Sequence, residues 1–166
     1  MSVTESISVE EYLSTVYSPD CDFVDGVLED RHVGEKDHSA LQRALIIWFY
    51  LHTKDLGVQT YPEQRVQVAP SRYRLPDLCV TLGEPEEQIF STPPFLCIEI
   101  LSPEDEIRRV LVKIADYFAF GVRYVWLIDP RNRTATVYTA NEVIPVSDGI
   151  LRTQNPDIAL PLADLF

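Results

Sequence analysis

The sequence predicts an α/β (α+β) fold in which a mixed central β-sheet is flanked by helices, with a helix and a hairpin at the N-terminus. Three observations support this class: a helical pattern at 36–53, a series of short apolar runs after it, and a second helical pattern at 102–120 between two strongly apolar runs. A helix between apolar runs is typical of sheets whose faces are covered by helices. The length of 166 residues fits one domain, which we expect to span 1–166.

The N-terminal region predicts a short helix followed by a hairpin. Ser8 and Glu11 have the spacing of a capping box, so a helix should begin there and end near Val16. The dipeptide Asp25-Gly26 lies between two pairs of apolar residues, which is a strong indication of a two-residue hairpin turn.

The rest of the chain predicts two helices and a series of strands. Leucine and tryptophan recur at helical spacing through 36–53, and Gly57 just beyond them favours a helix end. The segment 102–105, Ser-Pro-Glu-Asp, has the residue types preferred at a helix start, and Gly121 favours the end of that helix. The other patterns predict strands at 57–61, 64–69, 76–82, 95–101, 123–129, 134–139, 142–146 and 150–153, and a closing helical turn at 162–166.

The charge balance limits the classes of partner. Asp and Glu number 26 against 14 Lys and Arg, a formal net charge of −12, which argues against coating of nucleic acid through bulk electrostatic attraction. Residues 1–30 contain eight of the acids and no Lys or Arg, and we interpret them as a solvated acidic surface that aids solubility rather than as a partner site. No apolar run of about 18 residues is present, so we expect no membrane span.

Cysteine usage and the N-terminal residues indicate a cytoplasmic protein. Cys21, Cys79 and Cys97 form no even set and have no CxxC spacing, so we expect buried reduced thiols rather than disulfides or a zinc site. The first residues have neither the basic charge nor the apolar segment of a secretory signal.

An acidic residue interrupts each of two apolar runs. Glu99 is the one charged residue in 95–101, a run typical of a strand buried on both faces. A buried carboxylate needs a proton, a cationic partner such as Arg, or a metal. Asp77 follows Pro76 at the start of another run, where the alternative is a turn or cap role. If the two strands are neighbours, the carboxylates could converge and bind magnesium or manganese, which prefer such oxygens.

Several basic residues are candidates for binding a phosphate or stabilising charge that develops on it. Lys113 lies at the margin of the apolar stripe of the second helix, so it is either a surface lysine or a group that folds back over the Glu99 strand to stabilise developing charge. Arg109, one turn earlier, is a possible substitute. The segment 64–76 contains no acid, so its arginines Arg65, Arg72 and Arg74 are the first candidates for contacts with backbone phosphates. Arg108 and Arg109 of the second helix are second choices. For each of the five, ordinary surface charge is the alternative.

Together these residues resemble the Uma-two family of restriction-endonuclease-like proteins over about 9–138. The matching segments are 23–28, His38, Pro76-Asp77, 99–103, Lys113 with Tyr117, and 121–130. The resemblance implies the PD-(D/E)XK nuclease fold and magnesium-dependent hydrolysis of phosphodiester bonds, with DNA as the substrate. It implies that Asp77 and Glu99 are the metal ligands and that the lysine, absent at Leu101, has moved to Lys113. It also implies that His38 supports the metal site, although an ordinary surface or capping histidine remains the alternative.

Three functions therefore compete at this stage. The first is a metal-dependent endonuclease. The second is a nuclease-fold protein that no longer cuts and acts as a binding or assembly module, which Leu101 and the acidic surface favour. The third, a hydrolase of small phosphate esters, ranks lower because no Gly-rich phosphate loop is present. A homodimer is plausible if Tyr124, Trp126 and Tyr138 are not all in the core.

Overall fold

The computed structural model describes residues 6–31 and 34–166. Within these ranges the chain forms three α-helices, twelve strands and one 3-10 helix. They are α1 Val9–Ser14, β1 Cys21–Val24, β2 Val27–Asp30, α2 Lys36–Leu56, β3 Val58–Pro62, β4 Val66–Ala69, β5 Arg72–Arg74, β6 Leu78–Leu82, β7 Leu96–Ile100, α3 Ile107–Phe120, β8 Tyr124–Asp129, β9 Thr134–Tyr138, β10 Val143–Pro145, β11 Ile150–Thr153, β12 Ile158–Pro161 and the 3-10 helix Leu162–Asp164.

A six-stranded mixed sheet forms the centre of the fold. Its strand order is β10-β9-β8-β7-β6-β3, and the β7–β8 pair is parallel while the other pairs are antiparallel. Helix α3 connects the two parallel strands, as a parallel pair requires a crossover. The predicted class, a mixed sheet with flanking helices, is confirmed.

The two faces of this sheet are covered by different helices. On one face, Leu41, Leu45 and Phe49 of α2 pack against aliphatic side chains of β6, β7 and β8. On the other face, Ile114 and Tyr117 of α3 pack against the alternate residues of the same strands. Side chains of a strand point alternately to opposite faces, so β7 and its neighbours are buried on both sides. This arrangement explains their continuous apolar runs.

A smaller antiparallel sheet, in the order β2-β1-β5-β4, carries the N-terminal hairpin. Tyr12 of α1 stacks on Phe23 of β1, with ring centroids 4.8 Å apart, and both rings contact Tyr73 of β5. Strands β11 and β12 form a separate hairpin, whose buried residues join the cluster on the α2 side of the central sheet. The small sheet brings the chain segment before α2 to the end of β6, where Asp77 lies.

Most local predictions agree with these elements. The Ser8 hydroxyl accepts a hydrogen bond from the Glu11 amide at 3.1 Å and caps α1, and Asp25-Gly26 forms the hairpin turn. Helix α2 ends at Gly57, whose φ of 65° is left-handed. Trp126 is fully buried, so it supplies no surface aromatic group for a dimer. No helix in the described ranges has both the length and the hydropathy to cross a membrane.

The predicted start of α3 was wrong by about one turn. The helix begins at Ile107 and not at Pro103. The Asp105 carboxylate accepts a hydrogen bond from the Ser102 amide at 2.6 Å, and the Asp105 amide donates to the Ser102 carbonyl at 3.1 Å. These local bonds close a turn, because Asp side chains compete with the helix for backbone groups.

Two strands were not predicted, β5 and β12. Strand β5 has the sequence Arg-Tyr-Arg, whose charged residues hide its strand character. Strand β12 is only four residues long and ends in Pro161.

Candidate active site

Asp77 and Glu99 lie at the same end of two neighbouring central strands. Asp77 immediately precedes β6 and Glu99 lies within β7, where Leu78 pairs with Ile98. Both carboxylates are buried, and both line a pocket of about 100 Å³. One Asp77 oxygen, Oδ2, accepts a hydrogen bond from the Ile100 amide at 2.7 Å, which joins the two strand ends directly. The structure therefore brings the two predicted metal ligands together.

The second Asp77 oxygen, Oδ1, contacts two basic side chains. The Arg31 guanidinium donates to it at 3.0 Å, and His38 Nε2 lies 3.3 Å from it. Burial raises the pKa of Asp77, but the His38 hydrogen bond and the charges of Lys113, His38 and Arg31 outweigh burial, so the pKa lies below its usual value. The same bond raises the pKa of His38. His38 thus supports Asp77 from the first turn of α2.

Glu99 is held by two groups from α3. Lys113 Nζ lies 3.1 Å from Glu99 Oε1, and the Tyr117 hydroxyl donates to the same oxygen at 2.5 Å. Burial is the largest influence on Glu99 and, with the negative charge of Asp77, it raises the pKa to about 7 in spite of Lys113. The side chain therefore exchanges a proton near neutral pH.

Lys113 is a largely buried cation, with a side chain that is 14% exposed, and not a surface lysine. Besides Glu99, its ammonium donates to the Leu75 carbonyl at 3.0 Å and lies 3.6 Å from Asp22 Oδ2. Burial lowers the pKa of Lys113, but the negative charges of Asp22 and Glu99 raise it by more, so the pKa lies above its usual value. The lysine stays charged although most of its side chain is shielded from water.

Asp22 is a site residue that the sequence interpretation missed. It is buried in β1, and besides Lys113 it contacts Arg74 at 3.2 Å and accepts from the Leu75 amide at 2.9 Å. Interpreting 1–30 as a solvated acidic surface was therefore wrong for Asp22, and Glu29 and Asp30 also line the pocket. A charged residue between Cys21 and Phe23, in a strand-like run, was the available indication.

Comparison with known proteins identifies the family and the fold of the chain. A family model described as "Putative restriction endonuclease", Uma2, matches residues 9–163. The chain belongs to the Uma2 family. The fold is also that of a crystal structure described as a "putative nuclease belonging to DUF820" from Anabaena variabilis ATCC 29413, with a TM-score of 0.82 and 24% identity over 96% of this chain and 97% of that one. The resemblance and the restriction-endonuclease-like fold expected from the sequence are confirmed. A search of curated proteins gave no match.

The arginines of this Uma2 protein differ in their distance from the pocket. Arg74 and Arg109 line it. Arg74 is only 2% exposed and bonds to Asp22, Glu29 and Asp116, whereas Arg109 is exposed.

The other arginine candidates do not line the pocket. Arg65 pairs with Asp20 at 3.1 Å and its guanidinium lies 4.6 Å from the centre of the Tyr12 ring. Arg72 pairs with Asp25 at 2.6 Å and with Asp116 at 2.9 Å. Arg108 is exposed on α3. Any phosphate contact by these three would therefore lie outside the pocket lining.

The lining of the Uma2 pocket has an excess of negative charge. Seven acidic side chains face four Lys and Arg side chains and His38: Asp22, Glu29, Asp30, Asp77, Glu99, Asp105 and Glu106 against Arg31, Arg74, Arg109 and Lys113. Among the described residues, no three His, Cys, Asp or Glu side chains form a ready-made metal cluster. The donor set still fits magnesium, which commonly takes one or two carboxylates and completes its shell with water and substrate phosphate.

Volume alone would have indicated another place. A cavity of about 510 Å³ lies between the loop before β7 and the end of α3. None of the predicted catalytic or metal-binding residues lines it; Phe90, Phe95, Pro93 and Arg123 do. The charged pocket at Asp77 and Glu99 is the candidate active site because of its chemistry and not its size.

Proposed function

We propose that this Uma2 protein is a metal-dependent endonuclease that hydrolyses phosphodiester bonds in DNA with Mg²⁺ or Mn²⁺. The observation that carries the proposal is the 3.1 Å contact between Lys113 and Glu99, in the pocket that Asp77 also lines. Two carboxylates can hold the metal ion, and a lysine can stabilise the charge that develops on the phosphate. The lysine comes from α3, so its absence at Leu101 is no obstacle to the chemistry.

Asp77 and Glu99 would hold the cation. Bound there, a divalent cation supplies a water of lowered pKa and polarises the scissile phosphate. The excess of acids around the pocket and the raised pKa of Glu99 both favour added positive charge. In metal-free protein that demand is met in part by Lys113, Arg31 and His38.

The chain's own residues supply orientation and charge. Tyr117 and Lys113 hold the Glu99 carboxylate from one helix, while His38 and the Ile100 amide hold Asp77. Lys113 is also bonded to the Leu75 carbonyl, so its ammonium is fixed before substrate arrives. A fixed cation next to the reacting phosphate stabilises the negative charge that develops in the transition state, without the cost of reorganisation.

The family supports DNA as the substrate, and the acidic composition implies weak binding without metal. A homodimer would bring two pockets to the two strands of a duplex. Three buried, free cysteines, Cys21, Cys79 and Cys97, suit the reducing conditions of the cytoplasm.

The competing function is a nuclease-fold module that binds without cutting. It is favoured by the fact that Asp77 and Glu99 already have protein cations as partners. The two functions differ in whether a bound metal leads to cleavage.

Cleavage of plasmid and single-stranded DNA with Mg²⁺ or Mn²⁺ tests the proposal. We expect Asp77→Asn, Glu99→Gln and Lys113→Gln each to lower the rate about a hundredfold or more, as loss of electrostatic groups in active sites does. Matched controls are the exposed residues Asp164→Asn, Glu142→Gln and Lys54→Gln.

Unchanged cleavage in the Asp77 and Glu99 variants would remove these residues from the chemistry. Micromolar binding of Mn²⁺ to wild-type protein without any cleavage would favour the non-cutting module.

A further inference from the structure

Arg31 is bonded to Asp77, one of the two carboxylates that would hold the metal ion. It is the first residue after β2, in the segment that leads to α2. Its Nη2 donates to Asp77 Oδ1 at 3.0 Å, while Nη1 lies 4.0 Å from the half-exposed Glu63. The side chain is 17% exposed and lines the pocket. A partly exposed guanidinium is thus bonded to a buried carboxylate of the site.

Asp77 does not depend on Arg31 alone for partners. Its Oδ2 accepts from the Ile100 amide at 2.7 Å, and its Oδ1 also contacts His38 at 3.3 Å. His38 and Ile100 belong to α2 and β7 and are held by those elements. Arg31 reaches Asp77 on a long side chain from outside regular structure, so it can leave without moving a helix or a strand.

A divalent cation on Asp77 would lie next to the guanidinium and repel it. The planar fork of an arginine matches two oxygens of a phosphate as well as two oxygens of a carboxylate. We propose that Arg31 neutralises Asp77 in the metal-free protein and that, when metal binds, it gives up its hydrogen bond to Asp77 and donates to a phosphate of the nucleic acid instead. Metal and substrate then assist one another through one side chain. This inference rests on the proposed metal site.

Calorimetric titration with Mn²⁺, without DNA, tests the first half. A neighbouring arginine lowers the proton affinity of a carboxylate by about 10- to 1000-fold, so Arg31→Gln should bind Mn²⁺ roughly tenfold more tightly than wild type. Arg31→Lys keeps the charge and should bind like wild type. The control is Arg131→Gln, which removes the same charge from a side chain that is 53% exposed and outside the pocket lining.

DNA binding tests the second half. Ca²⁺ accepts the same oxygen ligands, and gels establish that the duplex stays uncut during the measurement. Loss of one phosphate contact should reduce the slope of log affinity against log salt by about 0.9 in Arg31→Gln. Arg31→Lys should keep the wild-type slope, because a lysine still neutralises the phosphate.

Each result decides the inference. The inference is supported if Arg31→Gln, and not Arg31→Lys, binds Mn²⁺ more tightly and has a smaller salt slope than wild type. This holds even if wild type itself binds no metal. Unchanged or weaker Mn²⁺ binding in Arg31→Gln overturns the proposed transfer of Arg31 from Asp77 to phosphate. The proposed nuclease activity is then still supported if wild type binds the metal and cleaves DNA. Equal effects of Gln and Lys indicate a packing role and overturn the transfer as well. If neither wild type nor Arg31→Gln binds Mn²⁺, both proposals fail.

Wild-type protein provides a measurement that does not depend on the folding of a variant. The side-chain ¹⁵N resonance of Arg31 should shift when Mg²⁺ is added and shift again with DNA. An Arg31 resonance that does not shift at saturating Mg²⁺ overturns the proposed transfer of Arg31 from Asp77 to phosphate.

Discussion

The two faces of strand β7 are both buried, yet they hold opposite chemistry. The face toward α2 carries three aliphatic side chains that belong to the apolar cluster on that side of the sheet: Leu96, Ile98 and Ile100. The face toward α3 carries Glu99, which is bonded to Lys113 and Tyr117. Burial of apolar groups stabilises the fold, whereas burial of charges costs free energy unless partners are well placed. The apolar face thus supports the strand on which the other face holds a carboxylate away from water.

The largest expected effect lies on the apolar face. Ile98 is fully buried between β7 and α2, so Ile98→Ala should lower the free energy of unfolding by about 2–5 kcal/mol through lost burial and a cavity. Denaturant unfolding measures this, with the exposed Val143→Ala as the control. A loss below about 0.5 kcal/mol, the range of surface substitutions, would contradict a stabilising role for this face.

On the charged face of β7, we expect metal affinity to depend on pH. Glu99 must lose its proton to bind metal, and its pKa is raised to about 7. Affinity for Mn²⁺ should therefore be constant well above pH 7 and fall about tenfold for each pH unit below it. Calorimetry in buffers of different ionisation enthalpy should detect the released proton at pH 6 and little release at pH 8.5. Equal proton release at both values would contradict the assignment.

In the absence of metal, protonation of Glu99 should stabilise the folded protein, whereas it weakens metal binding. The folded protein binds the Glu99 proton more tightly than the unfolded chain, whose carboxyl has a pKa near 4.5. The free energy of unfolding should therefore decrease as the pH rises from 4.5 to 7. The raised pKa of His38 acts in the same direction, since its stabilisation is complete below 6.5 and is lost as the pH rises through the folded value. Glu99→Gln should flatten this dependence.

The smallest effect is expected from one hydroxyl. Tyr117 donates to Glu99 and favours its charged form, so Tyr117→Phe should raise the pKa of Glu99 further. The midpoint of the pH dependence of Mn²⁺ binding should move up by about one pH unit, as expected for a hydrogen bond to a charged group worth about 1.5 kcal/mol. Tyr50→Phe, at a side chain that is 78% exposed, is the matched control. A midpoint that moves down would indicate that the bond favours the protonated acid, and an unchanged midpoint would indicate that it favours neither form.

The sequence was most informative where a residue conflicted with its surroundings. Glu99 and Asp77 could be singled out because a carboxylate inside an apolar run needs a partner. Lys113 followed from its helical position after the Glu99 strand, and the structure brings it to that strand. Their catalytic roles stay predictions.

Arg31 and Asp22 could not be found in this way. Arg31 meets Asp77 across 46 positions of the chain, and Asp22 meets Arg74 across 52. Nothing local to either residue specifies the other, since the small sheet brings both of them to the pocket. The start of α3 was misjudged for the opposite reason, because a strictly local bond between Asp105 and Ser102 replaced the expected cap.

The sequence by itself determined what depends on a few neighbouring residues. The cap at Ser8, the turn at Asp25-Gly26, the helix ends at Gly57 and Gly121, and the strand with Glu99 all follow from backbone geometry and side-chain alternation. Only the tertiary structure decided which cations share a pocket with which acids. Electrostatic energies depend on distance and burial in space, so the raised pKa of Glu99 and the contact of Arg31 with Asp77 arise only when separate segments are packed together.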